Sequence, residues 1–486
     1  MRMMEALRWS PIRELAPGAD RRLHRVTALG LAGTAVVVGL ALPLYPWLSA
    51  GTVIGGLLLA VLFVHPLAVV GFMLALGPLD LSFLTGGYKG LGGFDMNGIR
   101  LGAMVCGLSL LVLTHPRLAR QALSPRGVIY TLFLIYASLT LAYSLDPLNG
   151  VRFLFKLALP FLVFVAVLGF ARSRADLVRL GNWVLLGALA VTLLITPIYA
   201  LSGGYYYDFL GHVRFSGPGA AHENPFSFYL VLVILLAYAR YSVRGQLRYL
   251  GVCAVCAVWL ALAVTRIALA GALVGLAGAG LFVLVADRNY RAALISVGLA
   301  ALVLVPLVPQ VLSRTFGYVP GPAELWYLAQ NPIELYHSMH WLGRELIWPI
   351  VFGTFLQSPI FGWGIGSEQA VVTQYVPPEG GAMVHNEYLR LAVDTGLVGV
   401  ALFAGAIIAW AVAVLRASRV GDPVVREFAI PAVGGLCVWT VVAITDNAFD
   451  YYSSFTQLIG FFCAATIAAA AFARADRGAD ASGDAA

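Results

Sequence analysis

The chain has 486 residues, of which 60% are hydrophobic and only 11% are charged, and its mean hydropathy is +0.85. A soluble protein carries roughly twice that charged fraction, so a single water-soluble domain is excluded. The formal net charge of +7 is not a nucleic-acid signal, because the basic residues lie mainly in short segments between apolar runs. That distribution is the charge bias of membrane insertion, and we expect no nucleic-acid partner.

Apolar runs of about 17–25 residues recur along the chain, which is the length that crosses a bilayer as an α-helix. The sequence therefore predicts an all-α polytopic membrane protein with about 12–14 transmembrane helices. The predicted spans are 26–44, 48–64, 67–79, 98–114, 127–143, 151–170, 180–201, 223–240, 249–264, 267–286, 292–309, 387–415, 428–446 and 454–472.

Placing the N-terminus in the cytoplasm puts most of the Lys and Arg residues in inner segments, as the positive-inside rule requires. The organisation that follows has five parts. They are a cytoplasmic N-terminal segment (1–25), a transmembrane bundle (26–309), a long outer loop (310–386), C-terminal transmembrane helices (387–473) and a disordered cytoplasmic tail (474–486).

Two outer loops, 202–222 and 310–386, are longer than a connection needs to be. Loops of such length are usually functional or disordered. The second is rich in aromatic and apolar residues, including Trp341, Trp348 and Trp363, which predicts short helices at the membrane surface. These tryptophans are candidates for stacking on sugar rings, although interfacial anchoring is the simpler explanation of all three.

The cysteines and carboxylates do not indicate a metal or redox site. Cys253 and Cys256 form a C-x-x-C pattern, but both lie in a predicted span without further ligands, which favours packing. The acidic residues of the outer loops are scattered, with no Asp-x-Asp pair. We therefore expect neither a metal nor another cofactor.

The sharpest local pattern begins at the end of the long loop. His385, Asn386 and Glu387 stand at the outer mouth of a predicted helix, followed by Gly396 and Gly399. Two glycines one turn apart predict close packing of that helix on a neighbour. An isolated outer histidine is usually a surface residue, but His385 is the best catalytic candidate because a loop meets a rigid helix there.

This pattern resembles the His-Asn-x9-Gly-x-x-Gly signature of the bacterial O-antigen ligase and O-antigen polymerase family. Four other segments resemble that family in the same order. They are Arg214-x-x-Gly217 with Asn224, Thr265-Arg266 at a helix hairpin, the Arg344-containing segment 343–348, and the Pro-hydrophobic-Gly-x-Gly turn at 358–366.

The resemblance implies a GT-C-like glycosyltransferase of the bacterial inner membrane whose active site faces the periplasm. Such an enzyme moves a glycan from undecaprenyl diphosphate to a sugar hydroxyl. The acceptor is lipid A-core for a ligase of lipopolysaccharide biosynthesis, or another lipid-linked glycan for an O-antigen or exopolysaccharide polymerase. A flippase or transporter of lipid-linked glycans is the alternative from another class.

The same resemblance, joined to the chemistry of the side chains, assigns the site residues. His385 is expected to be the general base that deprotonates the acceptor hydroxyl. Arg214, Arg266 and Arg344 are expected to bind the donor diphosphate in place of a metal, because guanidinium groups grip phosphate bidentately. Two further substrate-binding residues, Asn386 and Glu387, are expected to orient the imidazole or the acceptor sugar.

Overall fold

A computed structural model describes residues 65–79, 96–201, 203, 205–207, 213–215, 223–263, 265–304, 308–339, 343–375 and 383–483. The predicted spans at 26–44 and 48–64 lie outside these residues. Within them the chain is helical apart from loops and one short ribbon, which confirms an all-α polytopic fold.

The first half of the bundle consists of α1 (Pro66–Ala75), α2 (Met96–Thr114), α3 (Pro116–Ala122), α4 (Val128–Thr140), α5 (Pro147–Phe170), α6 (Arg174–Ala190), α7 (Thr196–Leu201), α8 (Glu223–Arg244), α9 (Arg248–Ala263), α10 (Arg266–Asp287) and α11 (Tyr290–Leu304). Between α7 and α8, strands β1 (Tyr205–Tyr207) and β2 (Val213–Phe215) form an antiparallel ribbon.

The second half begins with the long outer loop, whose described part folds into short helices, as predicted. These are α12 (Val308–Phe316), α13 (Pro322–Gln330), α14 (Pro332–Ser338), α15 (Arg344–Gln357) and α16 (Ser367–Thr373). The chain then forms α17 (Glu387–Ser418), α18 (Pro423–Thr445) and α19 (Gln457–Gly483). A 3₁₀ turn (Ala448–Tyr451) and a π turn (Tyr452–Thr456) precede α19.

Seven helical segments of the described chain are long and apolar enough to cross a membrane, and α2 with α3 forms an eighth candidate span with a bend of 104°. Shorter apolar helices, including α1, α4 and α9, complete the set. Every predicted span within the described residues contains an apolar helix. Local signals set several starts: the Asp146 side chain caps α5 and the Asp422 side chain caps α18, each followed by a proline.

Helices α10 and α18 pack tightly and antiparallel. A Cβ added to Gly275 would lie 2.6 Å from Cγ2 of Val438, so the two helices approach each other through small residues. Arg426, near the start of α18, pairs with Asp287 at the end of α10. The start of α10, at Arg266, therefore lies at the same end of the bundle as Thr445.

The C-terminal tail differs from the prediction. Residues 474–486 were expected to be disordered, but α19 continues to Gly483. Alanine-rich sequence has high intrinsic helix propensity, and two polar contacts hold the segment beyond the apolar run: Arg174 pairs with Asp476, and Arg477 donates to the carbonyl oxygen of Val420.

Candidate active site

The imidazole of His385 lies beside a carboxylate from a distant part of the chain. His385 is the second residue before α17, and Asp446 is the first residue after α18. Nδ1 of His385 is 3.1 Å from Oδ1 of Asp446, with 31% of the histidine side chain exposed and only 3% of the aspartate. One partner is therefore accessible and the other is buried beneath it.

The Asp446 carboxylate is fixed by hydrogen bonds from two directions. Nδ2 of Asn224 donates to Oδ2 at 3.0 Å, and the backbone N–H of Asn447 donates to Oδ1 at 2.9 Å. Asn224 is itself anchored by a 2.8 Å hydrogen bond to the Tyr451 hydroxyl. A carboxylate held in this way is placed to accept a hydrogen bond from Nδ1–H of His385, and in that tautomer of the neutral ring Nε2 carries the lone pair.

The backbone of Val384, the residue before His385, is held by two hydrogen bonds, one to its carbonyl oxygen and one from its N–H; we call this pair the clamp on Val384. The carbonyl oxygen of Val384 accepts from Nε1 of Trp348 at 2.7 Å, and its N–H donates to Oε1 of Glu368 at 3.1 Å. His385 has φ of 48°, the left-handed region that costs a non-glycine residue about 1–3 kcal/mol. The clamp on Val384 holds the backbone of His385 in this strained conformation and thereby positions the imidazole.

The glycine-rich turn at 358–366 interlocks with α17. The backbone N–H of Trp363 donates to the Val393 carbonyl at 2.8 Å, and that of Leu397 donates to the Pro359 carbonyl at 2.8 Å. A Cβ on Gly362 would lie 2.6 Å from the Gly396 nitrogen. The expected close packing occurs at Gly396 in an unexpected way, because its φ of 63° and ψ of −172° break α17 and its backbone lies against Ile360 and Gly362 of the turn.

Asn386 and Glu387 both have structural roles at the start of α17. The side-chain oxygen of Asn386 accepts from the Leu389 N–H at 2.9 Å and so caps α17. Glu387 is completely buried, and its Oε2 accepts from the Phe449 N–H at 2.9 Å. A buried carboxylate bonded to this turn does not fit direct substrate contact, so we no longer assign Glu387 to substrate. Asn386 retains a place on the surface described below.

Arg344, one of the three predicted diphosphate ligands, lies next to the histidine–aspartate pair. It is the first residue of α15, and it donates to the Thr445 carbonyl, the residue before Asp446, at 3.2 Å. Burial lowers the pKa of the Arg344 guanidinium, and the negative charge of Asp446 opposes this shift. A guanidinium stays charged at any working pH, and in this partly desolvated position it attracts an anion more strongly than in water.

An open groove of about 630 Å³ runs between α15 and the start of α17. Arg344 and Asn386 line it on the side of the histidine, and Trp348, Phe352 and Phe355 supply apolar wall. A surface of this composition, with a cation at one end and rings along its length, fits an amphiphile that carries an anionic group.

The other two predicted arginines lie toward the same end of the bundle. Thr265, before Arg266, is 3.1 Å from the Ser227 hydroxyl oxygen, one turn along α8 from Asn224. Arg214 occupies the central position of β2, opposite Tyr206. The next residue, Phe215, is buried and packs on Phe226 of α8.

A buried ionic cluster supports the site from beneath. The Arg390 guanidinium stacks on Phe153 with 3.6 Å to the ring centre and lies 3.4 Å from Asp450 and 3.6 Å from Glu368. Lys156 also pairs with Asp450, at 2.5 Å. The cluster ties α5, α16, α17 and the turn before α19 together, and through Glu368 it reaches the clamp on Val384.

The sequence interpretation missed Asp446 as a site residue. Its signal is modest: an aspartate directly after an apolar span, on the side where His385 lies. Tyr451 carried no signal of its own.

Trp348 and Trp363 were candidates for sugar stacking, but the Nε1 atoms of both donate to backbone carbonyls. The third candidate, Trp341, lies outside the described residues. Across the described chain, no three His, Cys, Asp or Glu side chains are grouped to hold a metal ion.

Comparison with known protein families finds one match. Residues 227–404 match the family model described as O-antigen ligase. No curated protein sequence matches the chain. The matched region includes Arg266, Arg344 and His385, and it ends before Asp446. The resemblance recognised from the motifs is thereby confirmed for residues 227–404, which are similar to the O-antigen ligase family.

Proposed function

We propose that the protein transfers a glycan from a lipid diphosphate, of the undecaprenyl type, to a sugar hydroxyl at the periplasmic face of the inner membrane. The observation that carries this proposal is the His385–Asp446 pair beside Arg344, at the edge of an open groove. This arrangement supplies a base and a phosphate-binding cation within one site, and the family match agrees with it.

In the proposed reaction, Nε2 of His385 takes the proton of the acceptor hydroxyl as its oxygen attacks the anomeric carbon of the donor. A new glycosidic C–O bond forms while the bond from that carbon to the diphosphate oxygen breaks. The electron pair leaves with the lipid diphosphate. Asp446 stabilises the imidazolium that forms and keeps the ring in the correct tautomer, as a carboxylate does in other histidine dyads.

The leaving diphosphate is a weak base, so its departure needs charge stabilisation more than a proton donor. Arg344 is proposed to provide this stabilisation, because a guanidinium stays charged at any working pH. Arg266 and Arg214 are proposed to complete the diphosphate site from the neighbouring elements. The groove along Trp348 and Phe352 is proposed to hold the apolar part of the donor next to the phosphates.

The ligase reaction, with lipid A-core as the acceptor, is our first proposal, and polymerisation with a second lipid-linked glycan is the alternative. The test is a transfer assay with the purified full-length protein and an undecaprenyl-diphosphate-linked glycan, offered each acceptor separately. Glycan on lipid A-core identifies a ligase, and a lengthened lipid-linked glycan identifies a polymerase. Donor binding without transfer to either acceptor would contradict the enzyme proposal and favour a flippase or transporter.

Deleting the gene in its host gives an independent readout on lipopolysaccharide gels. A ligase deletion leaves lipid A-core without long glycan while polymer accumulates on the carrier lipid. A polymerase deletion leaves the core capped with a single repeat. An unchanged profile would contradict both lipopolysaccharide roles and direct the assay to exopolysaccharide.

A further inference from the structure

A second cavity lies at the opposite end of the bundle from His385. It has a volume of about 840 Å³ and is bounded by the segment that enters α4 and by the later parts of α17 and α19. Beyond its break at Gly396, α17 rises roughly 28 Å from Leu397 to Arg416 at 1.5 Å per residue, so the arginine end of this cavity is separate from the groove at α15.

The polar end of the cavity is formed by three arginines from three different elements: Arg126, Arg416 and Arg474. All three side chains are exposed. Within the part of the chain that the structure describes, none of them makes an ion pair or a hydrogen bond, and no acidic side chain lines the cavity.

Other arginines at this end of the bundle have acidic partners. Arg174 pairs with Asp422 at 2.5 Å, Arg426 pairs with Asp287, and Arg244 pairs with Glu427. The arginines of the cavity therefore differ from these neighbouring arginines, because their positive charge is not compensated by an acidic partner. By the positive-inside rule, this arginine-rich end faces the cytoplasm.

Most of the remaining cavity wall is apolar. Ile129, Ile408 and Val412 line it, and Ile408 is 61% exposed. The wall extends along α17 from Arg416 to Gly405, eleven residues or about 16 Å. That length is close to one leaflet of the hydrocarbon core, about 15 Å.

We propose that this cavity binds an anionic phospholipid of the cytoplasmic leaflet. The anionic headgroup phosphate would lie among the three arginines, and an acyl chain would lie along the wall from Val412 to Gly405. Charge complementarity and a wall of one leaflet's length together select a lipid, since a soluble anion would use only the arginine end.

The experiment compares lipid retention by the purified full-length protein, using native mass spectrometry with phosphatidylglycerol and phosphatidylcholine of identical chains. The wild type is expected to bind phosphatidylglycerol about tenfold or more tightly. The triple variant Arg126→Gln, Arg416→Gln and Arg474→Gln is expected to lose that preference. The matched control with Arg172→Gln, Arg288→Gln and Arg291→Gln changes equal charge away from the cavity and should keep it.

A steric variant tests the apolar wall without altering charge. Ala409→Phe fills the middle of the cavity and is expected to reduce retention of phosphatidylglycerol by about tenfold or more. Equal binding of both lipids by the wild type would overturn the proposal. That result is expected if residues 1–64 of this chain, and not a lipid, occupy the cavity. Unchanged selectivity in the triple variant, or unchanged retention in Ala409→Phe, would overturn it as well.

Discussion

Nδ1 of His385 lies 3.1 Å from Oδ1 of Asp446, although 61 residues separate them in the chain. The contact joins the start of α17 to the end of α18 and places a buried carboxylate behind an accessible imidazole. On this account Asp446 is a positioning residue: it acts on the reaction through the orientation and tautomer of His385.

Asp446→Asn tests that role. An amide can donate to Nδ1 and so favour the wrong tautomer, and we expect the turnover rate to fall by about 10²- to 10⁴-fold with donor affinity little changed. Asp422→Asn, at the other end of α18, is the control and should retain activity because asparagine also caps helices. Equal turnover in Asp446→Asn and wild type would remove Asp446 from the mechanism.

Trp348→Phe removes the N–H that holds the Val384 carbonyl and keeps an aromatic ring in the groove. The loss of one buried hydrogen bond costs about 1–2 kcal/mol, and we expect transfer to slow by about tenfold because the strained His385 backbone loosens. The control is Trp326→Phe, at a side chain that is 70% exposed. If both variants lose the same activity, the clamp on Val384 has no catalytic role.

Gly396→Ala should be strongly destabilising. Gly396 has φ of 63°, and an added Cβ would overlap the Ile360 carbonyl oxygen; strain and overpacking together cost about 2–5 kcal/mol. The matched change on the same helix is Gly405→Ala, whose Cβ would meet only Ile129 at 3.4 Å. Thermal unfolding in detergent should separate the two variants, and similar transition temperatures would contradict the interlocked turn.

Glu368 predicts a pH dependence of stability. Burial raises the pKa of the Glu368 carboxyl, and the Arg390 guanidinium opposes that shift. A folded-state pKa above the unfolded value means that this group's contribution to stability is fully present below the unfolded pKa. That contribution is lost as pH rises through the folded pKa.

Glu368→Gln keeps the acceptor for the Val384 N–H and removes the titration. We expect the fall in unfolding temperature from about pH 4.5 upward to be shallower in this variant than in the wild type. Glu345→Gln, at an exposed glutamate of α15, should leave the slope unchanged. An identical slope in Glu368→Gln and wild type would contradict the buried position of this carboxyl.

The sequence predicted those features that depend on local pattern. Span positions followed from apolar run length, and His385 and Arg344 followed from motifs that the structure places at one site. Asp446 was missed because its role depends on how the end of α18 meets α17, which no local pattern encodes. Glu387 was misassigned because its place in the sequence motif does not show that its side chain points into the protein.

Gly396 illustrates a second limit. Its spacing from Gly399 fits a small-residue helix contact. Its backbone conformation, however, goes with the Pro359–Gly366 turn, which packs into the break of α17 at Gly396. Lys156 is a similar case. It lies in an apolar span, where a lysine needs a partner or a polar cavity, and its ion pair with Asp450 depends on a residue almost 300 positions later.

The most direct test of the central claim measures donor binding and glycan transfer side by side for the wild type and His385→Ala, with the purified full-length protein and an undecaprenyl-diphosphate-linked glycan. If His385 is the general base, transfer falls by about 10³-fold or more while donor affinity stays within about threefold of wild type. Full transfer by His385→Ala would contradict the account, and parallel loss of binding and transfer would show that His385 holds the donor instead.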